Sequence, residues 1–512
     1  MSARRTAGNT RVRTVRPHRS VALTLVCTLA PFGCAVGPNF KPPAPPAASG
    51  YTRAALPAQT EATETAGGEA QRFQFGRELP GQWWQLFGSD RLNGLITEAM
   101  ANYPDIAAQQ AALRAARENV QAEKGVFLPQ FEGTAAASRI KSSGASIAPG
   151  FPGFITSLYQ ANVQVSYAFD LFGGERRTLE QLQAQLLAQN FQLEASYLTL
   201  TSNVASTAIR LASLRDQIAA TDEIIDIEDK QLRIIERQFQ LGSRTQADVL
   251  QQRSILAAVR ATLPGLQQQL EMAQHQLAVL TGHATQDATP VEFVLTDLKL
   301  PLELPVSLPA TLVAQRPDVA LQEAVMRQQS AAIGIATANM LPQIALTGAY
   351  GGEAVRLYEL LKPAGTAWNL TAGITQPLFE GGALRAKRRA AIDNYNAASA
   401  RYRLVVLQAL QNVADALTAL DHDAQALKAQ YDALQAAKAA LDLIQKQYND
   451  GAVAYVSLLA QQQAYQQARI GYVQAQASRY ADTVALFQAL GGGWWQRSDP
   501  GTLSLAPTSA VH

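Results

Sequence analysis

Residues 175–241 and 383–450 contain neither glycine nor proline. Each predicts one unbroken helix of roughly 100 Å at ~1.5 Å per residue. Apolar side chains recur in both at alternating steps of four and three. The first row runs from Leu200 through Val204, Leu211 and Leu214 to Glu228, Ile235 and Phe239. The second runs from Val406 through Leu417, Leu427 and Lys438 to Tyr448. A 3.5-residue repeat keeps one seam turned toward a partner helix. Each run ends at a glycine, Gly242 or Gly451, beyond which a second helical stretch returns, so each predicts a helical hairpin.

Period two appears elsewhere. In "YQANVQVSYAFDL" Tyr159, Ala161, Val163, Val165, Tyr167 and Phe169 alternate with Gln160, Asn162, Gln164 and Ser166. "WNLTAGIT" sets Trp368, Leu370, Ala372 and Ile374 against Asn369, Thr371 and Thr375. Residues 130–141 and 343–350 alternate less cleanly. Strands with one polar face suit a soluble sandwich, and equally a transmembrane barrel with a wet lumen.

These elements occur twice. "YPDIAAQQAALRAA" (103–116) finds its echo in "RPDVALQEAVMRQQ" (316–329), "FLPQF" in "MLPQI", "DLFGGERR" in "PLFEGGALR", and the two hairpin turns match in the same order. The offsets, 207 to 213, describe one duplicated unit. Each copy reads as a helix (about 90–127, then 309–340), two strands, and a long hairpin. Pro129 and Pro342 end the first helix and turn the chain extended. Gly173-Gly174 and Gly381-Gly382 reopen helix after the strands. Four strands cannot close a barrel, and open sheet edges do not survive in hydrocarbon. Transmembrane strands would therefore have to be pooled by at least two chains; three would give twelve.

Composition narrows the function. The 43 basic and 41 acidic residues include six arginines within 1–33, a segment without acids. The remainder is 37 basic to 41 acidic, without the basic stripe that a nucleic acid requires. "VALTLVCTLAPFG" after those arginines is a signal-peptide core, too short to span a bilayer. Cys27 leaves with it, and Cys34 is the one remaining cysteine. It follows Gly33 as in a lipoprotein processing site, although Pro31 stands where leucine is usual, and an ordinary cleavage site is the other reading. The prolines after Cys34 suggest a leash. No phosphate loop, nucleophile elbow or zinc-helix motif is present, and Asp421-His422-Asp423 reads as a solvated helix face. Trp83-Trp84 and Trp494-Trp495 read as packing residues ahead of interfacial anchors. No catalytic group, metal or cofactor is expected.

Taken together, "CAVGPNFKPP", "WWQLFGSDRLNGLI", the doubled "LPQ", the doubled "LFGG/LFEGG" and the paired turns make residues 34–492 resemble the outer-membrane efflux proteins, the TolC-like ducts, in their NodT-type lipoprotein branch. The resemblance implies a mainly α fold with a small transmembrane β part. Three chains would pool four strands each into a twelve-stranded barrel, and their long hairpins would form a periplasmic tunnel. It implies an outer-membrane, lipid-anchored homotrimer in contact with outer-membrane lipid, a periplasmic adaptor and an inner-membrane pump, passing small toxic molecules. A protein-secretion duct and a lipid-anchored coiled-coil scaffold or adaptor are the alternatives. Cys34 would be the anchor. The tips that meet the adaptor would hold Gly242, Arg244, Asp248, Gly451, Tyr455 and Ser457. Ser457 and Ala460 stand where family members often carry aspartates, which argues against an aspartate ring in that copy. The expected organisation is a signal (1–33), a tether (34–80), repeat one (81–288), a linker (289–309), repeat two (310–492) and a disordered tail (493–512).

Overall fold

The computed structural model describes residues 35–48, 50–53, 55–144, 149–150, 152–287 and 292–497. After β1 (Arg72–Phe75), the first repeat runs α1 (Asp90–Asn102), α2 (Pro104–Val126), β2 (Gln130–Ser142), β3 (Phe154–Phe169), α3 (Gly174–Gln240) and α4 (Gln246–Leu280). Following β4 (Glu303–Val306), the order returns as α5 (Pro309–Gln315), α6 (Pro317–Ala338), β5 (Gln343–Ala354), β6 (Thr366–Thr375), α7 (Ala383–Asn449) and α8 (Tyr455–Ala489). Both long helices have 67 residues and both return helices have 35. The chain forms two compact units, one β (35–37, 126–177, 334–386) and one helical (38–125, 178–333, 387–497).

The two helices expected to be continuous over 90–127 and 309–340 are each broken. Tyr103 and Arg316 adopt extended backbone, with ψ of 119° and 125°. Each precedes a proline, whose ring disfavours the α region for its neighbour but fits the first position of the next helix. The heptad rows are where the burial lies. In α3 every member except Phe239 is buried or half-buried, and in α7 every member except Lys438. Trp83 is fully enclosed, its ring 6.4 Å from Phe87 and 5.7 Å from Phe487.

Three segments differ from the sequence expectation. The tether reading fails for residues 59–79: β1 pairs in parallel with β4, and Gln71 is completely buried. Its Nε2 donates to the Pro301 carbonyl (3.0 Å) and to Thr483 Oγ1 (3.1 Å). Buried Arg479 donates to the Glu69 carbonyl (3.0 Å) and to Gln71 Oε1 (3.0 Å). Phe73 and Leu79 join the core, but they stand singly among polar residues, so no apolar period announces the docking. The expected linker supplies core side chains, among them Phe293, Leu295, Leu298 and Leu300. The tail reading fails at its start. Trp494 donates to the Gln315 carbonyl (2.6 Å), and Arg497 forms a buried ion pair with Glu194 at 2.6 Å. Residues 498–512 lie outside the described residues.

The β unit is one antiparallel sheet in the order β2-β3-β5-β6. Directly opposed residues share a face. One face collects Phe131, Ala135 and Ala137 with Tyr159, Val163, Val165, Tyr167 and Phe169, then Ile344, Leu346 and Tyr350 with Trp368, Leu370 and Ile374. The opposite face holds Thr134 bonded to Asn162 (2.7 Å) and Gln160 bonded to Glu353 (3.1 Å), with Glu132, Gln164, Ser166, Thr347 and Asn369. Ile140, Leu158 and Phe154 turn that face apolar only at its far end. The central β3–β5 ladder joins the two repeats, and β2 and β6 are edges. No described helix is long and apolar enough to cross a membrane.

The solvated-face reading of Asp421-His422-Asp423 also needs correction. His422 is exposed, but Asp423 is half-buried. Burial first, and then the carboxyl of Asp482, push its pKa up to about 8, against the opposing pull of Arg479. A carboxyl raised in the folded state takes up a proton on folding, so its contribution to stability falls as pH rises from about 4 to about 8. Asp423→Asn should therefore raise the melting temperature at pH 8 and leave it nearly unchanged at pH 4, as calorimetry at the two pH values will show.

Candidate functional site

The two hairpin turns are built alike. At the end of α3, Gly242 takes a left-handed φ of 76°, its N–H donating to Phe239 O (2.9 Å) while Ser243 donates to Gln238 O (2.9 Å). At the end of α7, Gly451 has φ 70°, donating to Tyr448 O (3.0 Å), and Ala452 donates to Gln447 O (2.8 Å). This is the Schellman arrangement, which a residue with a Cβ enters at a steric cost. Space beyond both glycines is open, so the constraint is the backbone and not crowding.

The starts of the return helices differ. Thr245 caps α4 in a reciprocal box: Asp248 N–H donates to Thr245 Oγ1 (3.3 Å), and Thr245 N–H donates to Asp248 Oδ2 (3.0 Å). That backbone N–H, ahead of the Thr245 hydroxyl and Arg244, holds the Asp248 carboxyl below its ordinary range. In the second copy the corresponding residues are Ala454 and Ser457, and Ala454 makes no side-chain cap. Ser457 is half-buried and donates its N–H to Ala454 O (3.0 Å). Asp248 is thus occupied as a capping acid.

Between the turns lies a continuous polar chain. Arg244 Nη2 donates to the Tyr448 hydroxyl at 2.7 Å, and its guanidinium lies 5.1 Å from the Tyr448 ring centre and 5.8 Å from that of Tyr455. The Tyr455 hydroxyl bonds Gln252 Oε1. Gln252 Nε2 in turn donates to Glu228, at 3.0 Å to its carbonyl and 2.6 Å to its carboxylate. Ile235, Val249, Leu458 and Leu459 pack with the two tyrosines. Burial raises the pKa values of Glu228 and Tyr455 above their ordinary levels, Gln252 opposing the shift at Glu228. Gly242, Arg244, Asp248, Gly451 and Tyr455 therefore come together. Tyr448, Gln252 and Glu228 complete the set without having been singled out from sequence. The charged Glu228 within an apolar seam was the signal that could have found it.

The remaining expected residues are at chain reversals of the β unit. Pro129 and Pro342 sit between helix and strand, just before β2 and β5. Gly173 (φ 75°) and Gly174 open α3, and a Cβ on Gly173 would lie 2.5 Å from Ala35. Asp170 caps α3, accepting from Glu175 N–H (3.1 Å) and Arg176 N–H (3.0 Å). Gly381 (φ 59°) and Gly382 (φ 87°) precede α7 in open space. Cys34 lies outside the described residues. The residues after it are held firmly: Val36 N–H donates to Phe172 O (2.9 Å), and buried Arg177 donates to the Val36 carbonyl (3.1 Å).

Removal of the guanidinium should loosen the turns without unfolding the body. Arg244→Ala deletes a charge-assisted hydrogen bond and two ring contacts, together worth about 1.5–3 kcal/mol. Amide exchange around residues 238–250 and 446–458 should speed by roughly tenfold or more, while amides of α1 and α2 keep their wild-type rates.

Comparison with known proteins matches this architecture. The family model described as outer membrane efflux protein covers residues 95–283 and 308–492, one stretch for each repeat. The pyoverdine export outer membrane protein OpmQ of Pseudomonas putida is 30% identical over 434 residues, spanning 84% of this chain and 92% of that protein. The outer membrane protein OprJ of Pseudomonas aeruginosa is 24% identical over 474 residues, 92% of this chain and 95% of its own length. Among solved structures, the outer-membrane channel OprN superposes with a TM-score of 0.79 at 26% identity, covering 90% of this chain and all of OprN. VceC of Vibrio cholerae gives 0.75 at 24% identity over 81% of this chain. With both repeats matched in order and the fold shared across its length, the chain belongs to the outer membrane efflux protein family.

Proposed function

We propose that this outer-membrane efflux channel is the passive exit duct of a tripartite assembly, taking small organic molecules from a periplasmic adaptor and an inner-membrane pump. The observation that carries this reading is the four-stranded sheet, apolar on one face, polar on the other, with an unpaired strand at each edge. Three such sheets joined edge to edge give twelve strands around a polar lumen, and no strand is left with free backbone groups in lipid. The hairpin turns would be the adaptor contact, since Gly242 and Gly451 lie in open space. Relatives named for pyoverdine export and for toluene efflux support small organic cargo over protein cargo. Energy comes from the pump; the chain provides a path and a closure at its turns.

The direct test places the gene in a host lacking its own outer-membrane efflux channels, together with candidate adaptor–pump pairs. Restored export of a dye or solvent is the expected result; failure with every pair, from a correctly inserted trimer, would overturn the reading. Gly242→Val and Gly451→Val should each lower export at least severalfold by straining the left-handed turn. Trimer yield should stay unchanged.

Cys34 is proposed as the lipid-bearing residue, with Arg177 and the Phe172 carbonyl fixing the residues that follow it. Radiolabelled palmitate should enter the wild-type protein and not Cys34→Ala. Equal labelling of the two would remove the anchor.

A further inference from the structure

The apolar face of the sheet ends in cations. Arg139 and Lys141 continue the row of Phe131, Ala135 and Ala137, opposite Ser157 and Ile155 of β3. The last β3–β5 pair is Tyr159 with Ala354. Arg356 follows two residues later, where the chain leaves the sheet just past that pair. Residues 355–365, which join β5 to β6, are a folded loop. Glu359 N–H donates to Arg356 O (3.0 Å), Lys362 N–H to Glu359 O (3.1 Å) and Gly365 N–H to Lys362 O (2.9 Å).

This loop lies on the apolar face. Gly352 shares that face with its partner Ala161, and a Cβ on it would come 2.2 Å from the Leu360 carbonyl oxygen. A side chain there would push the loop off the sheet. Held in place, the loop leaves Leu357 64% and Leu361 93% exposed. Its cations are gathered around Tyr358: Arg356 Nη1 donates to the hydroxyl (2.9 Å), and Lys362 Nζ is 4.7 Å from the ring centre. Among the described residues none of the four cations has a carboxylate partner. Glu359 is the acid in the loop, and Glu353 points to the polar face, where it bonds Gln160. The rim is thus strongly positive.

Position along the strand identifies what this rim meets. From Phe169 to Ser157 on β3 is roughly 40 Å at ~3.3 Å per residue, or about 30 Å across a membrane at the usual barrel tilt. Arg139 and Ser157 therefore stand one hydrocarbon thickness from the Tyr167–Phe169 pair, and the loop with Arg356 and Lys362 begins just past the last β5 pair at the same end of the sheet. Two leucines in the acyl layer beneath a collar of arginine and lysine match an anionic lipid surface: apolar area is covered, and guanidinium pairs with phosphate.

We propose that Arg139, Lys141, Arg356 and Lys362 form a binding site for the phosphate-bearing headgroups of outer-leaflet lipid, with Leu357 and Leu361 seated among its acyl chains. The site rests on the reading of this sheet as membrane-facing, and it adds a lipid specificity that the duct function does not require.

Native mass spectrometry of the full-length trimer in a non-ionic detergent tests it, with diphosphoryl lipid A, phosphatidylcholine and inorganic phosphate as probes. The wild type should retain lipid A at least tenfold more tightly than phosphatidylcholine, and millimolar inorganic phosphate should not displace it. The variant R139Q/K141Q/R356Q/K362Q should lose that preference while remaining trimeric. Should the fourfold variant not assemble, R139Q/K141Q and R356Q/K362Q are read separately, and each should lose at least threefold. Equal retention of the two lipids by the wild type, or undiminished preference in trimeric variants, overturns the proposal. Displacement by inorganic phosphate alone would make the site a free-anion site and overturn it equally. Export measured in the same variants separates the two readings, because a duct that works normally without lipid preference fails only this one.

Discussion

A peptide N–H or C=O in hydrocarbon has no water to turn to, and an unpaired one costs several kcal/mol. That constraint organises the protein. Within the chain, β2, β3, β5 and β6 satisfy one another in three antiparallel ladders. The outward edges of β2 and β6 are left over, and only another copy of the same sheet offers matching strands. The β3–β5 ladder is the joint between the repeats, so duplication has turned what would be a junction between chains into one within a chain. Assembly from three chains in place of six reduces the number of encounters that must succeed.

The duplication preserved geometry more faithfully than chemistry. The lengths of the long and return helices, the two prolines before the strands and the left-handed glycines recur in both copies. The polar fittings do not. Thr245 and Asp248 cap one return helix, and Ala454 and Ser457 leave the other uncapped. Asp170 caps α3 at the strand exit of the first repeat, where the second repeat has Pro377. One hairpin is therefore fastened by its own side chains, and the other is held largely through Tyr448 and Tyr455, which answer to Arg244 across the gap.

Much of this was legible in the sequence, because periodicity reports burial directly. The heptad rows and the alternating strands depend on repeated apolar contacts, and they fell where the pattern put them. The prolines in "YPD" and "RPD" were visible too, although read only as repeat markers and not as breaks. The linker stayed hidden because its core residues, Phe293, Leu295, Leu298 and Leu300, form too short a run to show a helical period, and other contacts stayed hidden because they are isolated polar ones between residues far apart in the chain. Gln71 bonds Thr483, Arg479 bonds the carbonyl of Glu69, and Gln252 bonds Glu228. Single hydrogen bonds of this kind leave no period, so a docked segment reads as a leash.

The parallel pairing of β1 with β4, and the enclosure of Gln71 by α8, have a consequence for the order of events in the chain's life. The two ends of the Gln71–Thr483 contact are 412 residues apart. During synthesis the early segment can pair with β4 once residues 303–306 have emerged, but Gln71 and Glu69 lack Thr483 and Arg479 until nearly the last helix is made, and contacts of such long sequence separation form slowly. The helical body thus cannot close early. A body whose last fastening comes from its last helix is completed only when the whole chain is present.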